Sequence, residues 1–189
     1  MSHQPTAILL NLPAELSQAL ALQRAQLDFS LPEAQERQLQ QLLAASPLLG
    51  RCLKLQPQIL TGLLSGAPGF NAPDLSQPHT EAQAMAALRR YRNASLCQIL
   101  ADDLLRAQDI SVALQRVSAL ADELINLAYQ WAWQELAPQW GQPLDSNGQV
   151  MPLLILGMGK LGGGELNFSS DIDLVYAYEH EGESDGARS

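Results

Sequence analysis

Apolar residues recur at helical spacing through most of this chain, and near residue 150 the pattern changes to short apolar runs broken by glycines. From Asn11 to about Leu64 the sequence is rich in Leu, Ala and Gln, with prolines at positions 13, 32, 47 and 57. Proline is tolerated in a first helical turn, so these prolines predict several short helices, with Asn11, Ser30 and Ser46 as caps and Gly66 as a stop. Ala67 to His79 carries three prolines and little periodicity and reads as a loop. A long helix is expected from Thr80, where Thr80 and Gln83 form a capping box. Its apolar positions are Met85, Leu88, Leu96, Ile99, Leu100 and Leu104. A second runs from Ser111 to Ala137, burying Val117, Leu120, Leu124, Leu127 and Trp131. Pro138, Gly141, Pro143 and an Asn147-Gly148 turn then end the helical region.

The later pattern is of another kind. Leu153 to Leu156 form a short apolar run closed by Gly157 and Gly159, which suits a buried strand. The run of glycines after Lys160, namely Gly162, Gly163 and Gly164, favours a turn whose backbone N–H groups can approach an anion, a phosphate cradle. Asp171-Ile172-Asp173-Leu174 then leads into a β-branched and aromatic run ending at Tyr178, a second strand. Residues two apart on a strand share a face, so Asp171 and Asp173 should project together while Ile172 and Leu174 pack behind. Two adjacent carboxylates repel unless a cation sits between them, and Mg²⁺ takes carboxylate oxygens while sharing phosphate oxygens with a substrate. Asp171 and Asp173 are therefore the candidate metal ligands and catalytic residues, with Gly162, Gly163 and Lys160 as phosphate and nucleotide contacts.

Composition narrows the function classes. Twenty acidic against eleven basic residues give a net charge of −9, which argues against a general nucleic-acid binder. Cys52 and Cys97 match no metal or redox spacing and suggest reduced thiols in a cytoplasmic protein. The longest apolar run falls far short of the roughly 20 residues a membrane helix needs, and no signal peptide is evident. Arg89, Arg90 and Arg92 read as a solvated helix face, the three tryptophans as packing residues, and Ser169 and Ser170 as turn hydrogen-bonders. His3, His79 and His180 receive no role.

The glycines admit two generic readings. Gly157, Gly159 and Gly162 fit G-x-G-x-x-G with Glu179 as a ribose acid, a dinucleotide-binding oxidoreductase. Three successive glycines and Asn167, Ser169 and Ser170 occupy the span to the next strand, however, so no good crossover helix of the kind a parallel return requires fits there. A P-loop fails because Lys160 precedes the last glycines. A glycine turn followed by D-x-D at the head of a strand resembles instead the nucleotidyltransferase superfamily of polymerase-β type. More specifically, GMGKLGGGELNFSSDIDL, Gly157 to Leu174, resembles the signature of the bifunctional glutamine synthetase adenylyltransferase/adenylyl-removing enzymes. Pro152 to Tyr178 fits their amino-terminal half, and the helical region from Thr80 to Trp140 is more loosely similar, chiefly in Leu88 to Arg92 and the tryptophan-bearing helix.

Taken with the helical pattern of residues 1–79 (short helices and loop) and 80–140 (long helices), that resemblance implies an α+β chain in which 150–189 form the first two strands of an incomplete polymerase-β-like fold. It implies removal of AMP from a tyrosine of glutamine synthetase by Mg²⁺-dependent phosphorolysis to ADP, the family's second half attaching AMP from ATP. Glutamine synthetase, the PII signalling protein, phosphate, ATP and ADP are the implied partners, and neither nucleic acid nor membrane is. Gln98 and Asp102 stand where the family tends to carry basic residues. Family members are far longer and complete their metal site with a third carboxylate from a later strand, for which Glu165 is no substitute. The chain is thus expected to be an inactive fragment. The alternative is a non-catalytic helical docking module for glutamine synthetase or PII.

Overall fold

The structure, a computed structural model, describes residues 13–77 and 79–187. It is mostly helical with a few short antiparallel strands. Prolines set the first helices: Pro13 and Pro32 occupy the N-cap positions of α1 (Ala14–Ala25) and α2 (Glu33–Ala45). Pro32 thereby displaces Ser30, which was expected to cap, and the expected cap Asn11 lies outside the described residues. In α3 (Pro47–Leu55) proline holds the first position and Ser46 Oγ accepts the Leu48 N–H at 3.3 Å. Gly66, at φ +70°, closes α4 (Ile59–Ser65) in the left-handed conformation that costs glycine least.

The capping box of α5 (Glu81–Arg106) forms: the Gln83 N–H donates to Thr80 Oγ1 at 3.3 Å and the Thr80 N–H to Gln83 Oε1 at 2.8 Å. α6 (Ile110–Trp140) runs past its expected end at Ala137. Pro138 falls in its final turn, and Gly141 stops it, donating its N–H to Ala137 O at 2.9 Å.

The chain divides into two compact units. One comprises the described residues up to Ala72 with Arg89–Ala113. Its core is leucine-rich, with Leu39, Leu42, Leu49, Leu53 and Leu63 buried around Ala94, Cys97 and Ala101 of α5. Leu96 and Ile99 of the same helix are buried as expected. Met85, expected in the core, is 47% exposed. Gln98 and Asp102 are buried polar residues of the same helix. Asp102 Oδ1 accepts from Gln98 Nε2 at 2.9 Å and from Arg106 Nη1 at 2.7 Å. Arg106 Nη2 donates in turn to Leu63 O at 2.9 Å, satisfying an orphan carbonyl at the C-terminus of α4. Cys52 and Cys97 are buried free thiols.

The second unit comprises Pro73–Leu88 and the chain from Leu114 on. Here β1 (Pro143–Leu144) pairs antiparallel with β4 (Glu183–Ser184), so the polar tail carries a short ladder that its lack of alternation concealed. Asp145 closes the Asn147-Gly148 turn, its Oδ1 accepting from the Asn147 and Gln149 N–H groups at 2.8 Å each. β2 (Leu154–Gly157) pairs antiparallel with β3 (Leu174–Ala177) in the register Leu154↔Ala177 to Gly157↔Leu174. The expectation of a buried strand fails: Leu154 and Leu156 are 49% and 53% exposed, because a two-stranded ribbon covers neither of its own faces. Trp131 and Trp133 are half-buried, whereas Trp140 is exposed rather than packed. Among the described residues no helix is long and apolar enough to cross a membrane.

Candidate functional site

The candidate site is the closed end of the β2–β3 hairpin. The chain leaves β2 at Gly157, makes a single helical turn, α7 (Gly159–Gly162), and returns through residues 163–173 into β3. An antiparallel return excludes the parallel βαβ unit of a dinucleotide fold. The sequence predicted an irregular glycine turn, yet one helical turn forms there because Leu161 is buried beneath it. Close packing needs two of the glycines. A Cβ on Gly157 would lie 2.8 Å from Leu161 Cγ, and one on Gly162 would lie 2.5 Å from Gly157 O. Gly159 and Gly164 adopt φ of +55° and +69°.

The amides of this turn are engaged. The Gly162 N–H donates to Met158 O at 3.3 Å, Gly163 to Gly159 O at 3.0 Å and Glu165 to Lys160 O at 2.8 Å. Gly162 and Gly163 are nonetheless exposed, as is Lys160, so their surface is open to an approaching anion while their N–H groups are internally bonded.

Asp171 and Asp173 lie just before β3 rather than within the strand itself. The Met158 N–H donates to Asp173 O at 2.9 Å, which carries the ladder one step past the strand and brings the Asp173 backbone against the start of the glycine turn. Both aspartates are exposed, and among the described residues neither carboxylate has a hydrogen-bonding or ionic partner. Ile172, expected to pack behind them, is 41% exposed. Among the described residues no group of three or more His, Cys, Asp or Glu side chains is assembled for a metal. Asn167 organises the approach: its Oδ1 accepts from Ser169 N at 3.1 Å and Ser170 Oγ at 2.7 Å, a turn role for both serines.

Sequence reasoning missed two supports from α6. Ser118, buried in mid-helix, donates through Oγ to Leu114 O at 3.0 Å and accepts the buried Leu166 N–H at 3.0 Å. Tyr129 Oη accepts the Leu153 N–H at 3.2 Å. Together they tie the segment entering β2 and the loop after α7 to one rigid helix. No pattern signals either residue, since a helical serine or tyrosine is ordinary until its partner is known.

The glutamate-ammonia ligase adenylyltransferase family matches residues 36–189. The chain is similar to proteins named bifunctional glutamine synthetase adenylyltransferase/adenylyl-removing enzyme from several bacteria. That of Idiomarina loihiensis is 38% identical over 170 residues, 83% of this chain and 18% of the relative. That of Xanthomonas campestris pv. campestris strain B100 is 40% identical over 162 residues, 85% and 17%. That of Alteromonas mediterranea is 53% identical over 109 residues, 58% and 11%. The chain spans less than a fifth of the length of these relatives.

Proposed function

This chain belongs to the glutamate-ammonia ligase adenylyltransferase family, and on that premise we propose that its β2–β3 hairpin is the start of a polymerase-β-like nucleotidyltransferase site that removes AMP from a tyrosine of glutamine synthetase. The observation that carries the reading is the pair of exposed, unpartnered carboxylates, Asp171 and Asp173, next to a glycine turn whose start is hydrogen-bonded to the Asp173 backbone.

The donor set fits Mg²⁺. Two hard, unpaired carboxylates two residues apart suffice for an ion that keeps several waters and takes phosphate oxygens as further ligands. Asp171 and Asp173 would hold it, and when bound it supplies charge neutralisation at the phosphoryl oxygens. In the proposed reaction inorganic phosphate attacks the AMP phosphorus, the bond to the tyrosine oxygen breaks with its electron pair going to that oxygen, and ADP is formed. Positioning and charge dominate such transfers. Exposed Gly162 and Gly163 let a phosphate approach the backbone without a side chain in the way, and Lys160 offers a neighbouring positive charge. The setting proposed is the cytoplasm.

By itself the 189-residue chain is proposed to turn over nothing, because among the described residues no third acid is assembled with Asp171 and Asp173 for a metal, and the apolar faces of the hairpin are uncovered. The test is a chimera in which this chain replaces the matched 170 residues of the Idiomarina loihiensis relative. The chimera should release ADP from adenylylated glutamine synthetase with Mg²⁺ and phosphate, and Asp171→Asn or Asp173→Asn should slow that release by about 100-fold or more. Full release by either variant would refute the assignment, and ADP release by the isolated chain would refute its inactivity.

A further inference from the structure

The eleven basic residues are not spread evenly among the twenty acidic ones. Residues 46–73 and 82–101 contain no Asp or Glu, yet they hold Arg51, Lys54, Arg89, Arg90 and Arg92. Six basic residues are left against all twenty acids elsewhere, so a positive region is embedded in a strongly negative chain.

Folding gathers these five cations within the first unit. Arg51 and Lys54 are one turn apart on α3, and the Gln56 side chain at the end of that helix donates to Arg90 O on α5 at 3.4 Å. Beneath them Cys52 of α3 and Cys97 of α5 belong to one buried cluster, and the charges of Arg51 and Arg92 both act on the Cys52 thiol. All five cations are exposed, and among the described residues none pairs with a carboxylate. Arg92 donates to Asn93 Oδ1 at 3.4 Å, a neutral contact. Arg24, Arg37 and Arg106, by contrast, each pair with an acid. Leu55, 79% exposed, follows Lys54 directly, so the patch also offers an apolar side chain of the kind that anchors an interface.

We propose that this face of α3 and α5 docks an acidic patch on a partner protein and, resting on the family reading above, that the partner is glutamine synthetase. A folded acidic surface fits better than a nucleic acid. An extended polyanion would run off five cations onto a chain of net charge −9, whereas a protein's acidic patch is of matching size. Arginines without an acidic partner, presented by two helices, give bidentate hydrogen bonds to carboxylates without breaking an ion pair.

The test measures binding of the full 189-residue chain to immobilised glutamine synthetase across a salt series. Binding should weaken steadily with added salt, since exposed charges are screened beyond roughly 8 Å at physiological ionic strength. The double variant Arg51→Glu with Arg90→Glu should bind at least ~10-fold more weakly and lose most of the salt dependence, with unchanged helical circular dichroism. Arg37→Gln, which removes a cation already paired with Glu33, should bind as the parent does. Parent binding that ignores the double reversal overturns the patch while leaving the family reading intact. No parent binding at any salt overturns the patch as well, while ADP release by the chimera tests the proposed site separately. Tight binding of single-stranded RNA, abolished by the same reversal, would assign the patch to nucleic acid and overturn the proposal.

Discussion

Gly162→Ala and Gly163→Ala differ by one position in the glycine turn and should have opposite effects on stability. At Gly162 the new methyl would sit 2.5 Å from the Gly157 carbonyl oxygen, so backbone meets backbone and no rotamer change relieves the clash. The turn and the end of β2 must part by roughly 1 Å to regain ordinary van der Waals distance. Overpacking of this kind costs about 1–3 kcal/mol, against a gain of up to about 1 kcal/mol from stiffening the unfolded chain. At Gly163 the nearest atom to a new methyl is Gly159 O at 3.6 Å, and the backbone, at φ −84°, suits alanine. Only the gain remains, about 0.4–1 kcal/mol. The two variants should therefore be separated by about 2 kcal/mol. Urea unfolding followed by fluorescence of the tryptophans of α6, in the same unit, reads the difference. Equal midpoints, or a larger loss at Gly163, would show that the turn is not packed against β2 as described.

Ser118→Ala should cost about 1–3 kcal/mol, since it leaves the buried Leu166 N–H without an acceptor, and hydrogen exchange at that amide should accelerate. Asp102→Ala strips the buried Gln98 amide and the partly buried Arg106 of their shared acceptor and should cost about 2–3 kcal/mol by thermal unfolding; retention of full stability would contradict the network. The Arg24 guanidinium, bonded at 2.8 and 3.0 Å, holds the Glu36 carboxyl below its ordinary value. A depressed folded value means the contribution is complete above about pH 4.5 and is lost as the pH falls through the folded value. An acid titration of stability should show that loss in the parent and a flatter curve in Glu36→Gln.

The sequence was most legible where local chemistry decides structure. Proline fixes helix starts whatever the tertiary context, Thr80 and Gln83 satisfy each other's amides, and Gly66 and Gly148 occupy left-handed turns. The glycines and polar residues between the two strands also sufficed to argue against a parallel crossover, and the strands pair antiparallel. What could not be read depends on partners distant in the chain. The exposure of Leu154, Leu156 and Met85 reflects what does not cover them, and an apolar side chain carries no record of its neighbours. The pairing of Glu183-Ser184 with Pro143-Leu144 lacks any hydrophobic alternation. At the site, the D-x-D spacing led to the two carboxylates, but the internal bonding of the Gly162 and Gly163 amides arises from a helical turn that their composition argued against. Ser118 and Tyr129 gain meaning only through the backbone they hold.

One divalent ion is proposed to contact both Asp171 and Asp173 beside the glycine turn. Mn²⁺, which shares the oxygen preference of Mg²⁺, broadens the amide signals of nearby residues and so reports its own position. Substoichiometric Mn²⁺ added to the isotopically labelled chain should broaden residues 171–174 and 157–160 together, and Asp171→Asn with Asp173→Asn should abolish both effects. Broadening confined to the acidic tail from Glu179 to Asp185, with residues 157–160 and 171–174 untouched, would contradict the account.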